Sequence, residues 1–335
     1  MTISFDHTLD KLELGEMGTN IHKTSRKFWY RYCYHFSHVK NIISILEDGR
    51  LLSRNKAILE NKMSQDNASE KIIEQTDSLY KNYVRLYFRP KTPTQYHNEG
   101  FKTEEQLAIS QLNAQCSIPV FLFLDIRKLL AHPYSSFTDR SLALSAPHKI
   151  YSTPEEFNKL PFDKIYHDGA LNEAEKREII GHRQAEIIFP ESLPIEDYLK
   201  KIIVRTPAEK ETLLTLMSDE LKRKYEDYIQ IDSSKNVFFS RWTYFNNVQL
   251  AENYIQFNLN ISQYQTPSIP TQFDLKISFK QSDLEWKSQV YKNWLAVQKL
   301  KLNFKDSIDN YEVAFHFNDQ LMYQGRYQSV ANNPY

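Results

Sequence analysis

Apolar residues fall along this chain in short bursts separated by polar stretches, and the spacing inside each burst names an element. Residues 1–27 are polar and weakly periodic and read as an N-terminal extension. Phe28-Trp29-Tyr30, running into Arg31-Tyr32-Cys33-Tyr34-His35-Phe36, reads as a buried strand. In SHVKNIISILEDG (residues 37–49) the apolar side chains recur at helical spacing, with Ser37 placed as N-cap and Gly49 where a helix stops. Residues 54–78 have no continuous apolar face and read as a loop carrying a helical piece. YVRLYF (residues 83–88) alternates like a strand, and the two prolines that follow take the chain out of the sheet. IPVFLFL (residues 118–124) has the pattern of a central strand, and further strands are expected at residues 187–189 and 202–204. One helix, with Pro207 in its first turn, is expected over residues 207–228. Beyond about residue 235 the text changes to short alternating segments: VFFSRW, YIQFNLNI, FDLKISFK, KLKLNF, VAFHFND and MYQGRY. An Asn-Asp turn signal separates the last two.

Composition narrows the classes available. With 335 residues and 41% hydrophobic content the chain can bury a sizeable core. Only 7 glycines stand against 21 tyrosines and 20 phenylalanines, which argues against a Gly-rich dinucleotide fold. Lys plus Arg equals Asp plus Glu at 42 each, so any attraction for a polyanion must be local. Cys33 and Cys116 lie far apart and make neither a redox pair nor a zinc spacing, which suits a reducing, cytoplasmic setting without a metal. No apolar run of about 18 residues is present, so no membrane span is expected.

Three segments carry chemistry. In the first, His35, Ser37 and Asn41 precede Gly49 and Leu52; an imidazole and a hydroxyl two positions apart on a strand share one face. The second, Tyr83 to Tyr96, alternates aromatics with cations: Arg85, Tyr87, Phe88, Arg89, Lys91. The third, Gly181-His182-Arg183-Gln184-Ala185-Glu186-Ile187-Ile188-Phe189, sets a glutamate at the head of an apolar strand. Together these resemble the DarT family of ADP-ribosyltransferase toxins over roughly residues 30–205.

The resemblance implies an α+β ADP-ribosyltransferase fold with split antiparallel sheets, with NAD+ as co-substrate and no metal. It makes Glu186 the catalytic carboxylate, on the chemistry that a carboxylate on the ribose 2-hydroxyl stabilises an oxocarbenium-like centre. It assigns NAD+ binding to His35, Phe36, Ser37, Asn41, Gly49, Leu52, Tyr87 and Phe88; the cations Arg85, Arg89 and Lys91 suit the pyrophosphate or an acceptor backbone, and His167 and Arg183 belong with the acceptor side. Read singly, His35 also suits a core histidine, and Leu86 and Phe88 suit plain core. The chain departs from the family pattern at Arg85, where proline is usual, and at Lys91, where arginine is usual. It also has no arginine from 55 to 84, where the family carries one that assists catalysis; Arg54, Lys71 and Arg85 are the substitutes in view.

The expected organisation is an extension (1–27), a catalytic domain (28–205), a connecting helix (206–232) and a β-rich accessory domain (233–335). The expected function is transfer of ADP-ribose to a base of single-stranded DNA, in a toxin–antitoxin or phage-defence setting with a cognate antitoxin protein as partner. Single-stranded RNA and protein are the other acceptors. A non-catalytic binding module with a decayed NAD+ pocket is the reading from a different class. Arg241-Trp242 and Arg326-Tyr327 suit stacking or an interface if exposed.

Overall fold

The structure is a computed structural model, described over residues 4–63, 76–110, 114–143, 149–266, 269–281 and 284–329. It divides into two compact units, each assembled from separated stretches of chain. The first takes Met1–Asn98, Phe121–Ile203 and Asn236–Phe238, and the second takes Glu99–Val120, Val204–Lys235 and Phe239–Tyr335. The accessory unit is therefore more than the stretch after residue 233, because Glu99–Val120 also belongs to it.

In the first unit the strands are β1 (Tyr32–His38), β2 (Arg50–Leu52), β3 (Tyr83–Tyr87), β4 (Pro119–Asp125), β5 (Ser136–Phe137), β6 (Glu186–Pro190), β7 (Ser192–Pro194) and β8 (Leu199–Val204). Within one sheet they run β5-β6-β3-β1-β4-β8, and β2 and β7 form a separate pair. The pairs β1·β3, β3·β6, β5·β6 and β2·β7 are antiparallel. β4 sits inside the sheet with six of its seven residues buried, as its unbroken apolar text requires. Aromatic rings pack on both halves of the sheet: Tyr34 meets Phe123 of β4 edge-on at 4.7 Å, and at the β5 edge Phe157 meets Phe137 and Phe162 at 5.2 Å each.

Three expectations for this unit are corrected. The polar N-terminal stretch hides helix α1 (Phe5–Leu14), capped by Ser4, which buries Thr8, Leu9 and Leu12 and ends at Gly15 with φ of 79°. Consecutive aromatics at 28–30 cannot all face one side of a strand. They form a 3-10 turn over Lys27–Arg31 that buries both Trp29 and Tyr30, and the strand starts only at Tyr32. Helix α2 (Val39–Asp48) is capped by His38, whose side chain accepts from the Lys40 amide, because Ser37 remains in β1. Gly49 closes α2 at φ of 68°, as its position suggests. Helix α3 (Arg54–Leu59) supplies the helical piece of the 54–78 stretch, of which residues 64–75 lie outside the described residues.

The second unit carries β9 (Ile229–Ile231) and two sheets. One is β10 (Tyr244–Ala251), β11 (Tyr254–Asn260) and β14 (Lys299–Asn303), in the order β10-β11-β14. The other orders β13 (Lys287–Leu295), β12 (Gln272–Gln281), β15 (Asn310–Phe317) and β16 (Gln320–Gln328) as β13-β12-β15-β16. Phe245, Phe257, Phe273, Phe315, Phe317 and Tyr323 lie in one shared core. Asn318 and Asp319, with φ of 45° and 64°, make the tight turn between β15 and β16 that the Asn-Asp pair signals. VFFSRW is not a strand: Val237 and Phe238 are buried within the first unit. The single helix expected over 207–228 is two, Pro207–Leu216 and Asp219–Tyr225, because Ser218 caps a new start. Of the tail SVANNPY, the last six residues lie outside the described ones.

The second unit also buries a charge cluster. The Arg205 side chain is 2% exposed and pairs with Glu209 and, at 3.5 Å, with Glu99. Its guanidinium lies 3.7 Å from the Tyr244 ring centre, and Glu99 also accepts the amides of Phe239 and Ser240. Removing one partner from such a cluster leaves buried charge uncompensated. Arg205→Ala is expected to cost about 3–5 kcal/mol of stability in denaturant unfolding. A loss below about 1 kcal/mol would show that the two acids do not rely on it.

Candidate active site

β6 places Glu186 at its first position, and pairing with β3 sets Tyr87 directly opposite Glu186 and Arg85 opposite Ile188. Cross-strand neighbours on one face lie within side-chain reach, so Arg85, two residues before Tyr87, meets Glu186 diagonally. The contact is bidentate: Arg85 Nε donates to Glu186 Oε2 at 2.8 Å and Nη2 donates to Oε1 at 2.8 Å. Glu186 is fully buried while Arg85 retains a quarter of its exposure. Burial opposes the Arg85 charge, but Glu186, Tyr87 and the hydrogen bonds outweigh it and raise the Arg85 pKa.

Around this pair the backbone is fixed. The Thr138 amide donates to the Glu186 carbonyl at 2.9 Å, and the Thr138 hydroxyl accepts the Glu186 amide at 3.3 Å. The Tyr87 hydroxyl donates to Thr94 at 3.4 Å, and Thr94 donates to the Gln184 side chain at 2.9 Å. Burial, then the neighbouring Glu186 carboxylate, raise the Tyr87 pKa and keep the phenol neutral. Two of the three sequence segments thus meet at one point. Thr94 and Thr138 were not singled out in the sequence, and Gln184, two residues from the glutamate, was their one signal.

The first segment builds a cavity of about 100 Å³ lined by His35, Ser37, Asn41, Asp48, Leu52 and Lys62, among others. That is small beside ligand clefts of roughly 300–1,000 Å³ and suits one end of a dinucleotide. Asn41 donates to the Ser37 hydroxyl at 3.1 Å. Asp48 is bracketed by Arg50 at 2.8 Å and Lys62 at 3.4 Å. The Gly49 carbonyl is taken by the Ile195 amide at 3.0 Å, so this glycine shapes the turn. Phe36 packs on Phe121 with ring centres 5.2 Å apart.

Arg89 and Phe88 depart from the roles implied for them. Arg89 is 2% exposed, donates to the carbonyls of Pro90, Ile165 and His167, and lies 4.7 Å from the Trp29 ring centre. Its donors go to holding backbone, and burial together with Arg183 and Arg26 pushes its pKa down. Phe88 is wholly buried against Phe157 and offers no open face. Phe88 continues the buried face of Val84 and Leu86, opposite the face that carries Arg85 and Tyr87. Lys91 sits in the left-handed region, φ of 57°, with its amide donating to Gln95 at 2.6 Å.

His167 and Arg183 do come together. Arg183 Nη2 donates to His167 Nδ1 at 2.7 Å and to the Gly169 carbonyl at 3.1 Å. Burial, then Arg183 and Arg89, lower the His167 pKa, which keeps the ring a neutral acceptor. Arg26 pairs with Asp168 on the same loop. Three arginines therefore converge on residues 167–169.

A family model for DarT, described as ssDNA thymidine ADP-ribosyltransferase, matches residues 34–239. Those bounds take in all three chemical segments, and they make this chain an NAD+-dependent ADP-ribosyltransferase. It belongs to the DarT family. Among solved structures, Thermus sp. 2.9 DarT in complex with ADP-ribosylated ssDNA is similar at 19% identity, with a TM-score of 0.45, over 61% of this chain and 95% of that one. The same protein with NAD+ is similar at 19% and 0.44 over 60% and 92%, and with carba-NAD+ at 20% and 0.44 over 61% and 96%. A search of curated proteins returns no match. Among the described residues no group of His, Cys, Asp and Glu is placed to hold a metal, and no helix is long and apolar enough to cross a membrane.

The histidines around β1 set a pH dependence. Burial holds His35 at about 4, and burial with nearby Lys40 holds His38 at about 3, against an ordinary 6.5. Below 6.5 the unfolded chain takes up protons that the folded chain refuses, so stability falls as pH drops toward 4. His38 alone accounts for about 2 kcal/mol by pH 5. His38→Asn keeps an N-cap acceptor without the titration. Thermal midpoints measured across pH 4–7 are expected to fall less steeply for this variant; parallel profiles would contradict the assignment.

Proposed function

We propose that this chain transfers the ADP-ribose of NAD+ to a base of single-stranded DNA, with Glu186 as the catalytic carboxylate. The observation that carries the reading is the buried bidentate pair of Glu186 with Arg85. Arg85 grips both oxygens and so fixes the plane of the carboxylate that is to meet the 2-hydroxyl of the nicotinamide ribose. As the bond from nicotinamide nitrogen to ribose C1′ breaks, its electron pair leaves with nicotinamide and positive charge grows on the ribose. The fixed carboxylate stabilises that charge. A nitrogen of the acceptor base then bonds to C1′, and Glu186 accepts the proton it sheds.

Arg85 fills the role for which the family carries an arginine earlier in its chain: it supplies the counter-charge of Glu186 and orients it. Arg54 starts α3, and Lys71 falls outside the described residues. His35, Ser37, Asn41 and Leu52 hold the adenosine end of NAD+, with Gly49 and Phe36 shaping that pocket and the Tyr87 ring beside the nicotinamide. Arg183, His167 and Lys91 meet the acceptor strand, Arg89 supporting them from below. The family description favours thymidine in single-stranded DNA, a base that reaches a pocket without the cost of unstacking a duplex. A base carrying ADP-ribose obstructs copying, so the enzyme acts as a cytoplasmic toxin. Its setting is a toxin–antitoxin or phage-defence system with an antitoxin partner.

Labelled NAD+ with DNA, RNA and protein acceptors tests this. Label is expected on single-stranded DNA, lost with Glu186→Gln and reduced about 10²- to 10³-fold with Arg85→Ala, while NAD+ binding persists. Label on RNA or protein alone would replace the acceptor, and unchanged transfer by Glu186→Gln would remove the mechanism.

A further inference from the structure

The chain ahead of the family-matched region is built into the first unit. Helix α1 lies at the β5 edge: Phe5 meets Phe157 at 5.5 Å and Phe137 at 6.2 Å, and Thr8 donates to the Asn158 side chain at 3.1 Å. Farther on, Thr19 is hydrogen-bonded to Tyr30, and His22 Nδ1 donates to the Thr19 carbonyl at 2.8 Å. The segment then delivers Arg26 to the start of the 3-10 turn, where its carbonyl accepts the Trp29 amide at 2.9 Å. The family match begins at residue 34, so none of these residues lies within it.

Arg26 ends on the loop that the acceptor reading uses. Its guanidinium pairs with Asp168 and lies 5.5 Å from the Trp29 ring centre; Arg89, 4.7 Å from the same ring, reaches Asp168 only at 3.8 Å. The donors of Arg89 go to the carbonyls of Pro90, Ile165 and His167, so the close contact to the acid is left to Arg26. On either side of Asp168, the His167 ring and the Gly169 carbonyl both accept from Arg183. Asp168 thus sets an acid next to the histidine that the proposed function gives to the acceptor. Glu175 and Asp163 also act on His167, less strongly than Arg183 and Arg89 do.

We propose that Arg26 is a positioning residue for the acceptor: by neutralising Asp168 it keeps a bare acid out of the path of the strand's phosphates and holds the loop that carries His167. A carboxylate without a counter-charge repels a phosphate, most strongly at low salt. The Asp168 side chain is 18% exposed and that of Arg26 26%, and a pair this open to water adds little to stability, so its effect is read in strand binding. The aromatic–cation pairs of the second unit offer no such contact: Trp242 is buried against Tyr264, and Arg326 is held by Glu312. The proposal rests on the reading that the acceptor is a nucleic acid, and it gives the N-terminal segment a part in holding it.

Steady-state transfer from labelled NAD+ to a single-stranded DNA oligonucleotide tests it. Arg26→Gln, which keeps most of the side chain beside Trp29, is expected to raise the KM for the oligonucleotide about tenfold, while kcat and the KM for NAD+ stay within about twofold. The slope of log KM against log salt is expected to flatten by about 1. Adding Asp168→Asn removes the bare acid and is expected to bring the KM back to within about threefold of wild type, as is Arg26→Lys, which keeps the charge. An unchanged KM for the oligonucleotide, equal rises in both KM values, or no recovery in the double variant, each at a wild-type thermal midpoint, overturns the proposal and leaves the acceptor reading standing. If wild type labels no oligonucleotide, the acceptor reading falls and this proposal with it.

Discussion

A carboxylate with no access to water needs a fixed counter-charge, and in this enzyme that requirement organises the first unit. Arg85 can reach both oxygens of Glu186 only because β3 and β6 pair in the register that sets Tyr87 opposite the glutamate. A slip of one residue would turn Arg85 to the other face of the sheet. The apolar content of β4 and the buried residues of β6 hold that register, so the packing of Ile187, Ile188 and Phe189 is part of what joins Arg85 to Glu186. The bidentate fork also explains why arginine serves here: lysine would supply charge without fixing the plane of the carboxylate.

Charge is distributed with the same economy elsewhere. Arg26, Arg89 and Arg183 gather on residues 167–169, where carbonyls and a neutral imidazole absorb their donors and Asp168 supplies the counter-charge. Around the first cavity Asp48 is balanced by Arg50 and Lys62. At both places the cations are met by acids or carbonyls close at hand, in keeping with a chain whose 42 cations equal its 42 acids.

Elements whose pattern is self-contained were legible in the sequence. β4, the helix closed by Gly49 and the turn at Asn318-Asp319 each follow from spacing or from a residue that tolerates positive φ. The strand that Glu186 heads was legible because Ile187-Ile188-Phe189 is a short unbroken apolar run. Partnerships between distant residues were not. That Arg85 grips Glu186, while Arg89 four residues on is buried under Trp29, depends on which strands pair and where β3 ends. Phe88 shares its parity with Val84 and Leu86, so the plain-core alternative for it was the one that alternation supported. β13 escaped notice because its polar and apolar residues are exposed alike, so no face-to-face alternation marks it.

The division of the chain has a consequence for how the protein is made. Each unit is built from three stretches, interleaved along the sequence, and the first is completed only by Asn236–Phe238. During synthesis the glutamate-bearing unit must wait for chain well beyond its own last strand, and neither unit can be released by a single cut. The glutamate-bearing unit is thereby complete only once residues 236–238 have been made, whatever the state of the strands before them.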